Sequence, residues 1–296
     1  MKKTFVILSF VLCSVAASAQ TAPALLIGAD PVAYGRGGAS VATAAGAFAV
    51  DNNAAAMSLS DNKFDISATY GMWAPKVADN TLAGLGAFFR INDKIAVGLS
   101  GRMLLDKPYD VTTPRGQVTG TFTPKDIVAG LGVSYAVTDN ISLGLTARML
   151  ASTIGEDLSG NAFAGDLTAM YAKDAFSAAL GVCNVGSALS YGGESYALPM
   201  FAKAGAAYSA SGFTASAEVD YLFSGALMAG VGAEYCIVDI VSLRAGFHYG
   251  DDAKAIPTYA SVGLGVKFAG VHLDAAYLLA SKALGNTLTV SLGYAF

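Results

Sequence analysis

Pairs of glycines spaced as Gly-x-Gly are the first feature of this 296-residue chain that suggests chemistry. The spacing binds phosphate when it joins a strand to the N-terminus of a helix, where backbone N–H groups meet the ligand. No pair here opens a helix, so that mechanism is not available. Each pair lies in the middle of a predicted strand, where glycine marks either curvature of a sheet or the close approach of another backbone. The pairs are Gly84/Gly86, Gly130/Gly132, Gly230/Gly232 and Gly263/Gly265.

Side chains that bind metals or act as nucleophiles are scarce, with 2 histidines and 3 cysteines. His248 and His272 fall at opposite ends of different predicted strands, so they do not form a metal site and we expect both to be solvated. Cys183 and Cys236 lie several strands apart, whereas a disulfide needs Cα atoms within about 7 Å, so we expect free thiols. The sequence has no Gly-x-Ser-x-Gly motif and no evident nucleophile–base set. We therefore predict a protein that is not an enzyme and needs no cofactor or metal.

Opposite charges face each other across two predicted hairpins. Hairpin register sets Glu234 opposite Arg244, and Lys203 opposite Asp220. An ion pair across two strands contributes roughly 0.2–1 kcal/mol to a sheet. We interpret these four residues as pairs that stabilise the wall of the sheet, rather than as a catalytic dyad.

The composition limits the elements that can position these residues. The chain is 54% hydrophobic and only 14% charged, whereas a soluble domain has about 25% charged residues. The formal net charge of −4 excludes a nucleic-acid surface. After residue 19 no apolar run reaches the roughly 18 residues that a membrane-spanning helix needs. An apolar chain of this kind with 34 glycines predicts a closed β-barrel in a membrane.

Apolar and polar residues alternate almost continuously from residue 63 to residue 296, which is typical of strands with one apolar face. In the predicted strand Val241–Tyr249, Leu243 and Phe247 point to one side while Arg244 and His248 point to the other. The alternation predicts about 14 strands, most of them about 9–11 residues long, as a tilted membrane strand requires. The fold class is therefore all-β, a transmembrane antiparallel β-barrel with its apolar face toward lipid and its polar face toward the lumen.

Turns and aromatic residues support this assignment. Short turns alternate with mostly longer loops along the chain, and in outer-membrane barrels the short turns are periplasmic. Aromatic residues of the apolar face fall near the two ends of the strands, as expected where rings meet both membrane interfaces. The last strand ends in Leu292, Tyr294 and the terminal Phe296 on one face. This face resembles the C-terminal sorting strand of outer-membrane barrels and implies recognition by the barrel-assembly machinery.

The N-terminus has the features of a secretory signal. Lys2 and Lys3 precede a short apolar core, and Ala17-Ser18-Ala19 forms a cleavage site. A lipoprotein signal that uses Cys13 is the alternative, but the residue before that cysteine is not small. We therefore expect residues 1–19 to be removed and the mature chain to reside in the outer membrane of a Gram-negative cell, in contact with its bilayer.

The segment 20–62 lacks the alternation of the strands and is rich in alanine and glycine. Its apolar residues need a surface to cover, because burial stabilises by about 25 cal/mol per Å². Gly35, Gly37 and Gly38 allow the chain to turn tightly in a narrow space. We predict that this segment is a plug inside the barrel formed by residues 63–296.

Residues 27–60 carry a family resemblance. They contain Gly35-Arg36-Gly37-Gly38-Ala39 and, further on, Asp51-Asn52-Asn53. These motifs resemble the N-terminus of the PorV/PorQ family of Bacteroidota outer-membrane proteins, which are relatives of the FadL fatty-acid transporters. The resemblance implies a 14-stranded barrel with the N-terminal segment in the lumen, and it marks Asp51 and Asn53 as part of a plug motif. Ala54 stands where the family has proline, so the turn here is expected to be looser.

The resemblance implies two functions of different classes. The first is an accessory or shuttle component of type IX protein secretion, which needs contacts with secretion-system proteins or cargo and no open pore. The second is a FadL-like passive transporter of hydrophobic small molecules, which needs an apolar path through the lumen. Five apolar residues on the lumen face are compatible with such a path or with packing of the plug: Phe88, Leu104, Met170, Met228 and Leu278. A plugged barrel with a purely structural role is a third interpretation.

Overall fold

The computed structural model describes residues 22–43, 45–75, 79–251, 255–280 and 285–296. The predicted signal peptide and the cleavage site after Ala19 lie outside these residues. Within them, fourteen strands form one closed barrel in which each strand pairs with its neighbours along the chain. All the pairs are antiparallel, and β1 pairs with β18 to close the barrel. The predicted fold class is confirmed.

Eighteen strands are present in the described residues, and four of them form two hairpins outside the barrel wall. In chain order the strands are β1 (Phe64–Trp73), β2 (Asn80–Arg90), β3 (Ile95–Leu105), β4 (Tyr109–Thr112), β5 (Val118–Phe122), β6 (Lys125–Thr138), β7 (Ile141–Gly155), β8 (Leu158–Lys173), β9 (Phe176–Gly186), β10 (Leu189–Tyr191), β11 (Glu194–Tyr196), β12 (Phe201–Ala210), β13 (Phe213–Leu222), β14 (Ala226–Ile237), β15 (Val241–Gly250), β16 (Tyr259–Phe268), β17 (Val271–Ala280) and β18 (Thr287–Ala295).

The apolar and polar positions that alternate in the sequence lie on opposite faces of the barrel wall. In β7, Leu143 and Leu145 are 46% and 57% exposed on the outside, whereas Ser142 and Thr146 are buried. The outer face is apolar and the inner face polar, the arrangement that a lipid-facing barrel requires. No helix in the described part of the chain is long and apolar enough to cross a membrane.

The connections differ from the expected plain loops at one end of the barrel. β4 pairs with β5 and β10 pairs with β11, so two of the long loops contain hairpins. The alternation in the sequence predicts that β7 ends at Leu150 and that β8 begins at Ala162, but the two strands remain paired up to Gly155 and Leu158. Strand pairing persists there because Thr153 and Ile154 are β-branched and favour strands, while Ser152 is buried and hydrogen-bonds Asp126.

Residues 22–43 and 45–62 lie inside the barrel, and we call them the plug. Four short helical turns shape it: a 3-10 helix at Pro23–Leu25, α1 at Pro31–Gly35, α2 at Ala49–Asn52 and a second 3-10 helix at Ala54–Leu59. Asp30 caps α1, because its carboxylate accepts the Val32 N–H at 2.8 Å. Asn53 begins the second 3-10 helix, and its side-chain oxygen accepts the Ala55 N–H at 3.0 Å.

The largest apolar cluster lies at the long-loop end of the lumen. Tyr34 of the plug packs on Trp73 there, with ring centroids 5.3 Å apart. Leu189 of the hairpin β10–β11 is fully buried in the same cluster. Smaller clusters lie deeper in the lumen, where Val50 and Met57 pack on Phe88. The apolar core therefore lies between the plug and the wall rather than within a sheet sandwich.

Candidate functional site

The inner wall receives the plug at glycines. A Cβ added at Gly86 would lie 2.6 Å from the carbonyl oxygen of Ala47, and one added at Gly230 would lie 3.1 Å from the Ala39 nitrogen. Such distances leave no room for a side chain, so glycine permits the close approach of the plug backbone. Seven members of the four pairs meet the plug: Gly86, Gly230, Gly232 and Gly263 meet its backbone, Gly84, Gly130 and Gly132 meet its side chains, and Gly265 instead meets Asp274 and Arg244. These contacts favour close backbone approach over simple curvature.

The predicted plug glycines lie at its tightest bend. Gly37 and Gly38 have φ angles of +65° and +81°, which disfavour any residue with a side chain. Gly35 ends α1, and a Cβ added there would lie 3.3 Å from the Gly263 Cα of the wall. The backbone N–H of Gly37 donates to Ser261 Oγ at 3.2 Å, which fixes the bend on β16.

Asp51 of the plug meets two arginines of the wall. Its Oδ1 lies 2.9 Å from Arg102 Nη1, accepts the Ser100 hydroxyl at 3.0 Å and also accepts Arg148 Nη1. The Asp166 carboxylate accepts hydrogen bonds from Arg148 Nη2 and Nε at 2.6 and 2.8 Å. Its negative charge balances the positive charge of the second guanidinium. Although burial alone raises it, the pKa of Asp51 is lowered to about 2 by the Arg102 and Arg148 guanidiniums. We call Asp51, Arg102, Arg148 and Asp166 the Asp51 cluster.

The two arginines of this cluster also hold the plug backbone. Arg102 donates to the carbonyl oxygens of Ala24 and Leu25 at 3.1 and 3.3 Å. Arg148 donates to those of Val50 and Asp51 at 3.2 Å each. A guanidinium has five N–H donors in a fixed plane, so each arginine binds several acceptors together. The cluster therefore joins two distant parts of the plug to β3 and β7.

A second ionic arrangement lies at the short-turn end, and we call it the Arg36 chain. Glu234 accepts Arg244 Nε and lies 3.8 Å from Arg36 of the plug. Arg244 also donates to Asp274 at 2.7 Å. His272 lies 3.1 Å from both Asp274 and Asp65, which extends the chain to β1. The members are Arg36, Glu234, Arg244, Asp274, His272 and Asp65.

The register places Glu234 opposite Arg244 and Lys203 opposite Asp220. The first pair is an ion pair. In the second, Lys203 Nζ donates to the Asn52 carbonyl oxygen of the plug. Among the described residues Lys203 forms no salt bridge with Asp220, so it contacts the plug rather than the residue opposite it in the wall.

Other plug contacts involve Glu218, which the sequence did not single out, and the predicted plug residue Asn53. Glu218 accepts the backbone N–H groups of Ser40 and Val41 at 2.7 Å each. Asn53 donates to the Val41 carbonyl oxygen at 2.6 Å, which ties two segments of the plug together. The wall residues involved fall at the polar positions of the alternation. The alternation therefore identified the face of the wall on which each residue lies, but not the plug residue that it contacts.

The histidines differ from the expectation that both are solvated. His248 is buried and stacks on Tyr259 with ring centroids 4.8 Å apart. His272 contacts two carboxylates in the Arg36 chain, and its side chain is only 17% exposed. Both are covered because the plug fills the lumen that they face. Cys183 and Cys236 are free, as expected, and the described residues contain no group of His, Cys, Asp and Glu that could hold a metal.

Two of the cavities between plug and wall bear on function. One of about 330 Å³ lies at the short-turn end and is lined by the Arg36 chain. The other, of about 130 Å³, lies toward the long loops and is lined by Arg102, Arg148, Lys203 and Asp220 among others. Each lining combines apolar surface with several charged side chains, so neither cavity is a purely apolar path.

The five apolar lumen residues are all buried. Phe88 and Met170 pack in clusters with plug residues, Leu104 and Leu278 lie in the cluster at the long-loop end, and Met228 packs near the partly buried Leu26. The structure therefore brings them into contact with the plug and the loops around it. At the far end of the chain, Leu292, Tyr294 and Phe296 are 58%, 44% and 59% exposed on the outer face.

Comparison with known proteins gives one family and one fold. A family model described as type IX secretion system protein PorV matches residues 14–209. No curated protein sequence matches the chain. The toluene transporter TbuX of Ralstonia pickettii superposes with a TM-score of 0.69 at 13% identity, covering 92% of this chain and 99% of that one.

Two further solved structures have the same fold. The toluene transporter TodX of Pseudomonas putida gives a TM-score of 0.66 at 13% identity, over 90% of this chain and 98% of that one. A FadL homologue of Pseudomonas aeruginosa gives a TM-score of 0.59 at 13% identity, over 94% of this chain and 99% of that one. At such low identity the likeness shows the barrel fold alone. The family and these structures are described as a secretion protein and as transporters, not as enzymes.

Proposed function

This chain belongs to the PorV family of type IX secretion system proteins, and we propose that it acts as an accessory or shuttle barrel of that system. It is an outer-membrane β-barrel. In this proposal secreted cargo does not pass through its lumen, and the barrel instead offers its surface to cargo or to other secretion proteins. The observation that carries the proposal is the family match over residues 14–209, which includes the whole plug.

The contacts of the plug support a closed barrel. Buried ion pairs join it to β3 and β7 through Asp51, and backbone hydrogen bonds join it to β13 through Glu218. Removing one partner of a buried ion pair costs about 3–5 kcal/mol, because the other charge remains buried. Expelling this plug would break several such contacts together. An accessory role requires no such movement, whereas a conduit does.

We further propose that the mature chain begins after Ala19, with residues 20–62 as plug and 63–296 as barrel. The short turns then face the periplasm. Partners would be the bilayer of the outer membrane, the barrel-assembly machinery, and secretion-system proteins or cargo.

A disulfide between plug and wall tests the proposal. A Cβ added at Gly132 lies 3.1 and 3.4 Å from the two γ-methyl groups of Val50, within reach of the Cβ separation of a disulfide, about 3.5–4.5 Å. The variant is V50C/G132C, with the native Cys183 and Cys236 replaced by alanine. It is expressed in a type IX-secreting bacterium that lacks its own copy of this protein.

We expect deletion of the gene to abolish cargo display at the cell surface and the oxidised V50C/G132C variant to restore it. The single variant V50C in the same background is the matched control. Full secretion without the protein would contradict the accessory role. Secretion by the control but not by the disulfide variant would show that the plug must move.

A FadL-like conduit for hydrophobic small molecules is the second candidate. The fold of the toluene transporters TbuX and TodX favours it. Against it stand the charged side chains that lie in the linings of both cavities. Uptake of a monoaromatic hydrocarbon by cells that express the reduced but not the oxidised V50C/G132C variant would favour this candidate.

A further inference from the structure

The cavity of about 330 Å³ at the short-turn end is large enough for a small ligand, because small-molecule sites typically occupy about 300–1,000 Å³. Its walls come from the plug and from β1 and β14–β18. Arg36 contributes from the plug, Arg244 from β15 and Lys267 from the end of β16. Nothing in the accessory role described above uses this cavity.

Arg36 is the most unusual group in the lining. It is 7% exposed, and its Nε is buried without a hydrogen-bond partner. One Nη2 hydrogen bond goes to Thr43 Oγ1 at 2.9 Å, and the nearest carboxylate oxygen, on Glu234, lies 3.8 Å from Nη1. A buried N–H without an acceptor is costly, and native structures almost always provide a partner for it. The open donors of Arg36 therefore indicate that an acceptor binds here.

None of the four acidic residues of the lining lies within hydrogen-bond distance of Arg36 among the described residues: Glu234 comes nearest, at 3.8 Å, and Asp65 contacts His272. Asp274 binds Arg244 and His272 through its two oxygens. Asp30 binds the Val32 N–H and the Asn52 side chain through its two oxygens. Glu234 has its Oε2 directed to Arg244 Nε. Arg36 Nε is thus left without an acceptor from these residues.

From this geometry we propose that the cavity binds a small oxyanion, a carboxylate or a phosphate, through the guanidinium of Arg36. The planar guanidinium of arginine matches the two oxygens of such a group. Charge-assisted hydrogen bonds of this kind are stronger than hydrogen bonds between neutral groups. Lys267, which is exposed at the rim, assists the entry of the anion from the short-turn end. The net charge of the Arg36 chain does not repel the ligand strongly, because Arg244 and His272 already offset its carboxylates.

Isothermal titration calorimetry on the purified full-length barrel tests this site, with inorganic phosphate and acetate as separate probes. We expect saturable binding of at least one probe, and the preferred probe identifies the class of anion. The Arg36→Gln variant should bind at least about tenfold more weakly, since it loses charge-assisted hydrogen bonds. Arg115→Gln, an equal change of charge at an exposed loop position, is the matched control and should bind like wild type.

A second variant keeps the test decisive if Arg36→Gln displaces the plug. Lys267→Gln changes only the rim and should weaken binding by a smaller factor, about two- to fivefold, as for one exposed charge. Absence of saturable binding for both probes, or equal affinity of wild type and Arg36→Gln, would overturn the proposal. Binding that both Arg115→Gln and Arg36→Gln weaken equally would also overturn it, since it would reflect the overall charge of the protein.

Discussion

At the scale of single residues, Asp51 places a negative charge where Arg102 and Arg148 both reach it. With Asp166 the cluster is neutral, and all four side chains are about 95% buried. We expect Asp51→Asn to leave one uncompensated buried positive charge and to destabilise the seated plug by about 3–5 kcal/mol. Trypsin should then cleave at Arg36, which is buried in the wild type. The readout is limited proteolysis followed by mass spectrometry.

The control for that substitution is Asp93→Asn, because Asp93 lies in a short turn with its side chain fully exposed. It should leave the proteolysis pattern unchanged. If Asp51→Asn also shows no cleavage at Arg36, the Asp51 cluster does not hold the plug.

The same carboxylate predicts a pH dependence. The pKa of Asp51 in the folded protein is about 2, below its ordinary value of 3.8. A lowered folded-state pKa means that Asp51 contributes stability that is fully present above about pH 4 and is lost as the pH falls through about 2. Trp73 contacts Tyr34 of the plug and is the single tryptophan, so its fluorescence reports the position of the plug.

We expect a fluorescence transition between about pH 4 and pH 2 in the wild type. In Asp51→Asn the part of this transition that belongs to Asp51 should be missing. Identical titration curves for the two proteins would show that the charge of Asp51 is not linked to seating of the plug.

The sequence indicated which charged residues face the lumen, and hairpin register paired Glu234 with Arg244, but it did not indicate which of these residues meet the plug. Parity of the alternation places Arg102, Arg148 and Asp166 on the polar face, because the strand period is two residues. Their convergence on Asp51 depends on the path of the plug, which has no periodicity of its own. The same limit applies to His248 and His272, whose burial results from a segment distant in sequence.

At the scale of elements, the glycines of the wall and the backbone of the plug fit as two surfaces. A Cβ at Gly246 would overlap the backbone at Arg36 and Gly37, whereas one at Gly101 has nothing within 4 Å. We expect Gly246→Val to destabilise the folded barrel by about 1–3 kcal/mol or more, through overpacking. Gly101→Val should be close to neutral. Heat-modifiability on gels, scored as the temperature at which the folded band is lost, measures both.

Equal unfolding temperatures for Gly246→Val and Gly101→Val would mean that the plug does not press on β15. The comparison is sharp because both glycines lie in barrel strands and receive the same side chain. It separates loss of space for the plug from loss of glycine in a strand, which costs some stability in either case.

The terminal strand gives the second prediction at this scale. Tyr294 and Phe296 lie on the outer face, and the backbone of Phe296 pairs with Phe64 where the barrel closes. We expect Phe296→Ala and Tyr294→Ala to reduce the amount of assembled barrel in cells. Tyr135→Ala removes an aromatic ring of similar exposure from β6 and is the control. If all three variants assemble at wild-type level, the terminal face is not a recognition signal.

The elements themselves could largely be predicted, because alternation and turn residues are local features. The ends of the barrel strands predicted from the sequence differ from those in the structure by a few residues at most. The exceptions are β7 and β8, where pairing continues into the loop. The hairpins β4–β5 and β10–β11 were missed, since strands of three to five residues are too short to show a sustained alternation. Burial of Leu189 in the cluster at the long-loop end follows from tertiary packing that no local pattern shows.

At the scale of the whole molecule, the two ionic arrangements differ in how much of each lies within the residues that the family model matches. The matched residues 14–209 contain every member of the Asp51 cluster. Four of the six members of the Arg36 chain lie beyond residue 209, in β14, β15 and β17. The Asp51 cluster is thus formed within the part of the chain that the family model describes, while the Arg36 chain joins that part to the remaining strands.

This division leads to a prediction about conductance. A 14-stranded barrel without a plug encloses a lumen wide enough for ions, and here the plug fills it with buried contacts on several sides. We expect the wild-type protein in planar lipid bilayers to conduct poorly, the Asp51→Asn variant to open intermittently, and oxidised V50C/G132C to remain closed. Reduction of the disulfide returns the last protein to the behaviour of the wild type. Steady, large conductance of the wild type, unchanged by the disulfide, would show that ions bypass the plug and would make an open-pore function the better explanation of this fold.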